Sequence, residues 1–187
     1  SHPTRLIAAE TSLVVVDVQE KLIAKIHNGD RVVQNIRFLL EVAELLDVQR
    51  LATEQYPSGL GPTVASLTEK LPSPRPDKVG FSCCAIETFV PDLYQSKKTR
   101  VVLTGIETHV CVLNTALDLL AESFWVYLPV DALGSRSNLD HETALRRLED
   151  PGIRVRMGVA ARERWHGHFT PEILAAALAA VYREASE

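Results

Sequence analysis

An aspartate ends the first strongly apolar run of the chain, in a position that suits catalysis. Residues 13–16 are a continuous, largely β-branched run followed by Asp17, which predicts a strand buried on both faces. In a parallel sheet flanked by helices, ligands bind beyond the carboxyl ends of the strands, so a carboxylate there can act as a general base. An aspartate that only caps or turns the chain would stand in the same place. Position alone leaves both interpretations open.

A cysteine stands at a second strand end, where the chain turns into a helix. The apolar run 101–104 leads into Gly105, and apolar residues take helical spacing from Val110 onward, so Cys111 falls at a helix start. The partial positive charge and unpaired N–H groups of a helix start stabilise a thiolate and can hold an oxyanion. Free cysteine is also among the most buried residue types, so simple packing is the alternative.

Three other residues have weaker settings. Cys83 and Cys84 do not lie between a strand and a helix, and we expect both to pack in the interior. Lys78 ends a proline-rich segment, and a lone lysine is usually a solvated surface charge. The three cysteines fit neither a disulfide framework nor a paired zinc spacing, which favours a reducing compartment.

Alternating strands and helices must position these residues. Apolar patterns predict strands at 13–16, 48–53, 100–104, 124–128 and 153–157, and helices at 30–46, 110–122, 139–148 and 170–182, with Asp30 as an N-cap. Segments 56–62 and 71–80, rich in proline and glycine, are predicted loops. The alternation predicts a three-layer α/β/α fold with a mostly parallel, doubly wound sheet. The length of 187 residues fits one domain over 1–187.

Composition narrows the class of partner. The formal net charge is −4 with both signs interspersed, which argues against nucleic acid and anionic membranes as partners. No apolar run approaches the roughly 20 residues needed to cross a bilayer, and the first ten residues lack a secretory pattern. We therefore expect a cytoplasmic protein that acts on a small molecule.

Four segments in order along the chain resemble the motifs of the isochorismatase-like cysteine hydrolases. Residues 14–19 (VVVDVQ) resemble their opening strand and catalytic aspartate, 78–82 (KVGFS) their lysine segment, and 105–112 (GIETHVCV) their nucleophile motif. Asp131-Ala132, Ser135-Arg136-Ser137, His141 and Ala144-Leu145 resemble the segment after their fifth strand. The resemblance covers nearly the whole chain. Residues 53–61 (TEQYPSGLG), with Glu107 and His109, are most similar to the isochorismatase domain-containing proteins.

The resemblance implies a specific mechanism. Cys111 would be the nucleophile, with Asp17 accepting its proton while Lys78 and the helix start hold the thiolate. A cis peptide between Ile106 and Glu107 is also implied, with the N–H groups of Glu107 and Cys111 forming an oxyanion hole. Hydrolysis of an amide or related C–N bond through a covalent intermediate is the expected reaction.

The same resemblance implies the residues that contact the substrate. These are Glu54, Gln55, Tyr56, Phe81, Glu107 and His109, and an ordinary turn, capping or subunit-contact role is the alternative for each. Nicotinamidases of this type carry an Asp and His residues for zinc after the second strand, where this chain has Glu54-Gln55-Tyr56, so we expect no metal and no cofactor. Residues 157–160 (MGVA) depart from the Thr/Ser-Glu element of many relatives, which leaves that pocket wall unpredicted.

Three other functions remain open at this point. One is vinyl-ether hydrolysis of the isochorismate type, in which Asp17 protonates the substrate and Cys111 is dispensable. The second is a catalytically silent binding or assembly module, and the third is a redox sensor based on Cys111. The resemblance also implies a homo-oligomer, a dimer, a tetramer or larger, with Leu22, Ile23, Trp165 and Phe169 as candidate contact residues.

Overall fold

A computed structural model describes residues 5–149 of the chain. Its strands are β1 (Thr11–Val16), β2 (Gln49–Gln55), β3 (Asp77–Lys78), β4 (Arg100–Ile106), β5 (Trp125–Tyr127) and β6 (Leu133–Gly134). They form a parallel sheet in the order β3-β2-β1-β4-β5, with β6 beside the end of β4. The predicted strand 153–157 and helix 170–182 lie outside the described residues.

Seven α-helices accompany these strands in the described range. They are α1 (Glu20–Ile23), α2 (Gly29–Leu45), α3 (Pro57–Leu60), α4 (Ala65–Thr68), α5 (Phe89–Gln95), α6 (Leu113–Ala121) and α7 (Asn138–Leu148). Short 3-10 turns occur at Ala8–Glu10, Cys83–Ala85 and Val130–Ala132, and one π-helical turn, Thr108–Val112, leads directly into α6. None of the helices in residues 5–149 is long and apolar enough to span a bilayer.

The sheet is the middle of three layers, because β1 is buried on both faces. Its side chains alternate, so that Val14 and Val16 enter one apolar cluster while Leu13 and Val15 enter another. The first cluster is completed from α5, α6 and α7, and the second from α2 and α4. The predicted α/β/α fold with a parallel, doubly wound sheet is confirmed.

The strand order places the edge where a ligand would bind. From β1 the chain builds β2 and β3 on one side and then crosses to build β4 and β5 on the other, so β1 and β4 are neighbours at the point where the winding reverses. Open α/β sheets bind ligands beyond the carboxyl ends of the strands at such a point. Asp17 follows β1 and Glu107 follows β4 at this edge.

Three local predictions were wrong. Segment 71–80 is not only a loop, because strand β3 forms within it at Asp77–Lys78. Asp30 is not the N-cap of α2; the cap is Asn28, in the left-handed region at φ 56°, and Asp30 lies in the first helical turn. Segment 56–62 is not a plain loop, because α3 forms within it with Pro57 at its start, where proline lacks only an N–H that would be unpaired anyway. The proline and glycine residues of this segment predicted a loop, but they also allow one turn of helix.

Candidate active site

Asp17, Lys78 and Cys111, far apart in the sequence, meet in the interior and are called the Asp17 cluster below. Lys78 Nζ donates to Asp17 Oδ2 at 2.6 Å, with the two side chains 1% and 0% exposed. The Asp17 carboxylate also lies close enough to the Cys111 thiol to raise the pKa of that thiol. The carboxylate thus stands between an ammonium and a thiol.

Close packing of β1 against β4 brings the first and last members of the cluster together. Val16 pairs with Gly105, and a Cβ on Gly105 would lie 2.2 Å from the Val16 carbonyl oxygen, at a backbone φ of +115°. Only glycine fits a position with both properties. Asp17 itself adopts φ 52°, a left-handed conformation that aspartate tolerates better than most residues. This turn carries the carboxylate out of β1 into the space above β4.

Short strand β3 positions Lys78. Lys78 pairs with Gln55 of β2, and its carbonyl accepts the Tyr56 N–H at 3.0 Å. Besides Asp17, the ammonium donates to Gln55 Oε1 at 2.7 Å and to the carbonyl of Phe81 at 2.9 Å, with Gly80 O at 3.3 Å. An ammonium has three protons, so these acceptors use its whole donor capacity. Lys78 is therefore a fixed internal cation rather than a surface charge.

Cys111 lies in the turn Thr108–Val112, called the Cys111 turn below. The carbonyl of Glu107 accepts N–H groups from Val110 at 3.0 Å and from Val112 at 3.2 Å, so the turn wraps around that carbonyl. The peptide bond between Ile106 and Glu107 is cis. The segment then continues as α6, which places Cys111 in the first turns of a helical stretch, as the sequence indicates.

Burial sets the protonation state of Cys111 at rest. Burial, followed by the negative charge of Asp17, raises the pKa of the Cys111 thiol to about 12, and the nearby Lys78 ammonium opposes this only in part. The expectation that Lys78 and the helix start hold the thiolate formed when Asp17 takes the proton stays a prediction, because the raised pKa describes the resting site. Desolvation of a sulfur that is only 6% exposed outweighs both, so the resting group is a neutral thiol beside a carboxylate.

A comparison with known proteins identifies the family to which this arrangement belongs. The model of the isochorismatase domain matches residues 11–157. The chain belongs to the isochorismatase family. Isochorismatase domain-containing protein 2A of Mus musculus is 40% identical over 153 residues, covering 79% of this chain and 71% of the relative. Isochorismatase domain-containing protein 2 of Homo sapiens is 40% identical over 154 residues, with the same two shares.

Solved structures of this family share the fold. A structure from Caenorhabditis elegans, described as a MAR1 ribonuclease, is 35% identical, with a TM-score of 0.74 over 91% of this chain and 89% of that one. The nicotinamidase of Staphylococcus aureus has a TM-score of 0.68 at 18% identity, over 76% of this chain and 95% of that one, and supports the fold alone. The resemblance found in the sequence is thereby confirmed.

In this isochorismatase-family chain, two predicted substrate contacts form hydrogen bonds within the protein. Glu54 Oε1 accepts hydrogen bonds from Thr63 N and Oγ1 and from Arg75 Nε at 2.7–3.1 Å. Gln55 Oε1 accepts a hydrogen bond from Lys78 Nζ, and Gln55 Nε2 donates one to the carbonyl of Val79. A substrate contact stays a prediction for both residues, and Gln55 also holds Lys78 in place.

The remaining predicted contacts lie beside the Asp17 cluster in different settings. The buried carboxylate of Glu107 accepts the Arg136 backbone N–H at 3.0 Å and pairs with its guanidinium at 2.9 Å. His109 Nδ1 lies 3.0 Å from Ser135 Oγ. Tyr56 and Phe81 are more than half exposed. Glu107, Tyr56, Phe81 and His109 remain predicted contacts.

A cavity of about 390 Å³ is lined in part by Ser135 and His141, which contact the Cys111 turn. His27, Arg31, Ser135 and His141 contribute to its wall, and no member of the Asp17 cluster does. His141 Nδ1 lies 2.9 Å from Thr108 Oγ1, and burial lowers the pKa of this histidine. Helix α7 is therefore tied to the Cys111 turn.

Sequence reasoning missed Gln19, Thr53 and Cys83. Gln19 is fully buried, and its amide group bonds to the Gln55 backbone N–H and carbonyl and to Gly61 O, which fixes the end of β2. Thr53 contacts the Asp17 side chain directly, and Cys83 contacts the Thr53 hydroxyl. Gln19 and Thr53 lie within segments that resembled the family, although no role was predicted for either, and no local pattern indicates that Cys83 is their neighbour. Among residues 5–149, no three His, Cys, Asp or Glu side chains cluster as metal ligands do.

Proposed function

We propose that this chain is a cysteine-dependent hydrolase that cleaves an amide or related C–N bond of a small molecule. The supporting observation is the buried Asp17 carboxylate, placed between the Lys78 ammonium at 2.6 Å and the Cys111 thiol. A nucleophile, a base and a group that orients the base are the parts that covalent catalysis needs. They lie at the edge of the sheet where this fold class binds ligands.

In the proposed reaction, proton transfer accompanies the attack. Asp17 takes the Cys111 proton as the sulfur forms a bond to the substrate carbonyl carbon, and the carbonyl oxygen becomes an oxyanion held by the N–H groups of Glu107 and Cys111. The tetrahedral intermediate then breaks its C–N bond, and the leaving amine takes the proton from Asp17. A thioester remains on Cys111.

The second half of the reaction restores the thiol. Water attacks the thioester while Asp17 accepts a water proton, and the C–S bond breaks as the carboxylic acid forms. The sulfur then regains the proton from Asp17. Lys78 stays protonated throughout, because all of its donors face fixed acceptors, and it keeps the carboxylate oriented. General-base assistance of this kind contributes about 10²–10⁴-fold to a rate.

Turnover of a panel of small primary amides, followed by ammonia release, tests this proposal. We expect Cys111→Ser and Asp17→Asn each to lower kcat/KM by at least about 100-fold on any amide the wild type cleaves. Cys84→Ala is the matched control, because Cys84 is a partly buried cysteine outside the Asp17 cluster. Full amide turnover by Cys111→Ser would contradict the proposal. In a parallel assay of vinyl ethers, hydrolysis that Cys111→Ser retains would favour the vinyl-ether alternative, and absence of turnover on every amide and vinyl ether would favour a binding module.

The redox-sensor alternative loses support. A sensor cysteine needs thiolate character and access to oxidant. Cys111 is 6% exposed, and burial with the charge of Asp17 raises its pKa to about 12.

The Caenorhabditis elegans protein is described as a ribonuclease, but the charges of the described residues here give little support for binding an RNA backbone. The formal net charge is −4, and Lys78 and Arg136 are ion-paired with Asp17 and Glu107. A polyanion needs free cations along its path. We expect labelled single-stranded RNA to remain intact with the wild type, and cleavage that disappears in Cys111→Ser would contradict this.

We also propose that the chain forms a homo-oligomer. Leu22 and Ile23, two of the predicted contact residues, are partly buried against the apolar cluster of α2 and α4, while Trp165 and Phe169 lie outside the described residues. Leu22 and Ile23 therefore do not need a second subunit as cover. Light scattering at micromolar concentration tests for the oligomer. A mass near 20.7 kDa would contradict the proposal, and a multiple of that mass would support it.

A further inference from the structure

A second polar chain reaches Asp17 on the oxygen that Lys78 does not use. Thr53 Oγ1 donates to Asp17 Oδ1 at 2.8 Å, and the Thr53 carbonyl accepts the Asp17 N–H at 3.2 Å. The pairing of β1 with β2 sets Thr53 beside Val16, so the side chain points at the turn that carries Asp17. Thr53 is 1% exposed and Asp17 is 0% exposed. Both oxygens of the Asp17 carboxylate therefore accept hydrogen bonds from buried side chains.

The direction of the hydrogen bonds in this chain follows from counting protons. An Asp17 carboxylate paired with Lys78 can only accept, so the single hydroxyl proton of Thr53 is spent on Oδ1. Thr53 Oγ1 also lies 3.5 Å from Cys83 Sγ, and in that contact the thiol must be the donor. Burial and the charge of Asp17 raise the pKa of Cys83 to about 11, so its proton is present at neutral pH.

Cys83 is itself fixed relative to the Cys111 turn. Its backbone N–H donates to Thr115 Oγ1 at 2.9 Å, and that hydroxyl donates to the Cys111 carbonyl at 2.7 Å. The chain therefore runs from the backbone of Cys111 through Thr115, Cys83 and Thr53 back to the carboxylate that the Cys111 thiol contacts. Every member is buried.

We propose that Thr53, with its hydroxyl directed by the Cys83 thiol, is a positioning residue that orients the Asp17 carboxylate and stabilises its ionised form. This inference rests on the proposed function, in which Asp17 receives the Cys111 proton. A hydroxyl donates a stronger hydrogen bond to a carboxylate than to a neutral carboxylic acid. Thr53 therefore holds Asp17 in the orientation and the ionised form that acceptance of the Cys111 proton needs.

Alkylation of Cys111 by iodoacetamide measures this effect without any substrate. Digestion and mass spectrometry separate the Cys111 adduct from adducts on Cys83 and Cys84, and the rate is recorded from pH 3 to pH 9. Protonation of Asp17 removes the acceptor for the Cys111 proton, so the rate falls on the acid side with a midpoint that Asp17 sets. We expect Thr53→Val, which keeps the shape and removes the hydroxyl, to move this midpoint up by about one pH unit.

Two variants separate positioning from simple packing. Thr53→Ser keeps a hydroxyl and is expected to keep the wild-type midpoint. Thr104→Val is the matched control, because Thr104 is a fully buried β4 threonine whose hydroxyl donates to the carbonyl of Val14 at 3.0 Å and not to a carboxylate. A merely structural role would lower the melting temperature in both valine variants and leave both midpoints unchanged.

Cys83→Ala provides the decision if Thr53→Val does not fold. This change frees the Thr53 hydroxyl to rotate, and the midpoint should move in the same direction by less than one unit. An unmoved midpoint in every folded variant of Thr53→Val and Cys83→Ala overturns the inference. Asp17→Asn separates failure of the proposed function from failure of the inference about Thr53. If the alkylation rate of this variant still falls on the acid side, Asp17 is not the base and the proposed function is refuted. If the fall is abolished, the proposed function is left intact.

Discussion

Replacing Lys78 with methionine removes the cation of the Asp17 cluster while keeping the length of the side chain. The Asp17 carboxylate would then be 0% exposed with no counter-charge. The carbonyl of Phe81 and Oε1 of Gln55 would also lose the donor they share. Breaking a buried pair from one side costs about 3–5 kcal/mol, because a bare charge stays in the interior.

The double variant Asp17→Asn with Lys78→Met shows whether charge is the cause. It removes both charges, so the double variant should be more stable than Lys78→Met alone, with a coupling of about 1–3 kcal/mol. Lys70→Met is the matched control, because Lys70 donates to Glu44 at 3.0 Å in a pair exposed to solvent. That substitution should change stability far less.

Urea unfolding followed by circular dichroism measures these three variants and the single variant Asp17→Asn at pH 7. A typical domain is stable by about 5–15 kcal/mol, so a loss of 3–5 kcal/mol is measurable and large. Two results would refute the reasoning: a Lys78→Met variant no less stable than Lys70→Met, or a double variant whose loss equals the sum of its two single losses.

Further predictions concern stability. Burial raises the pKa of the Cys84 thiol from 9.0 to about 12, so above pH 9 the unfolded chain releases a proton that the folded chain keeps. The free energy of unfolding, measured by urea titration, should therefore fall as pH rises from 9 toward 12. In Cys84→Ala it should fall less steeply, with a difference in slope of about 1.4 kcal/mol per pH unit. Burial lowers the pKa of His141 from 6.5, so the unfolded state binds more protons below that pH, and urea midpoints should drop on acidification less in His141→Asn than in the wild type. Gly105→Ala should cost at least about 3 kcal/mol, because its Cβ meets a carbonyl at 2.2 Å, whereas Gly61→Ala, also at positive φ but with no atom nearer than 3.8 Å, should cost about 1 kcal/mol; equal losses in urea unfolding would contradict the steric argument.

Local pattern predicted the fold and the placement of two members of the Asp17 cluster, although not their roles. Asp17 directly follows one apolar strand and Cys111 lies in the turn after another, and strands of a parallel sheet end at a common edge, so their meeting follows from the alternation of elements. Lys78 is different. Its strand β3 has two residues and no apolar pattern, so only the resemblance to a family indicated its role.

Non-local pairing explains what the sequence did not reveal. Thr53 and Cys83 lie near Asp17 because of the register of β1 with β2 and the path of the Cys83–Ala85 turn, neither of which a single segment encodes. The neutral state of Cys111 was missed for a related reason. A helix start can be read from spacing, but the desolvation of the sulfur depends on everything packed over it.

Intact-mass spectrometry of acid-quenched enzyme, taken during turnover of an amide that it cleaves, tests the central claim most directly. The account predicts a wild-type adduct equal in mass to the acyl group, mapped to Cys111 by digestion and absent in Cys111→Ser. Steady amide turnover by Cys111→Ser, or an acyl adduct mapped to Cys83 or Cys84, would contradict it.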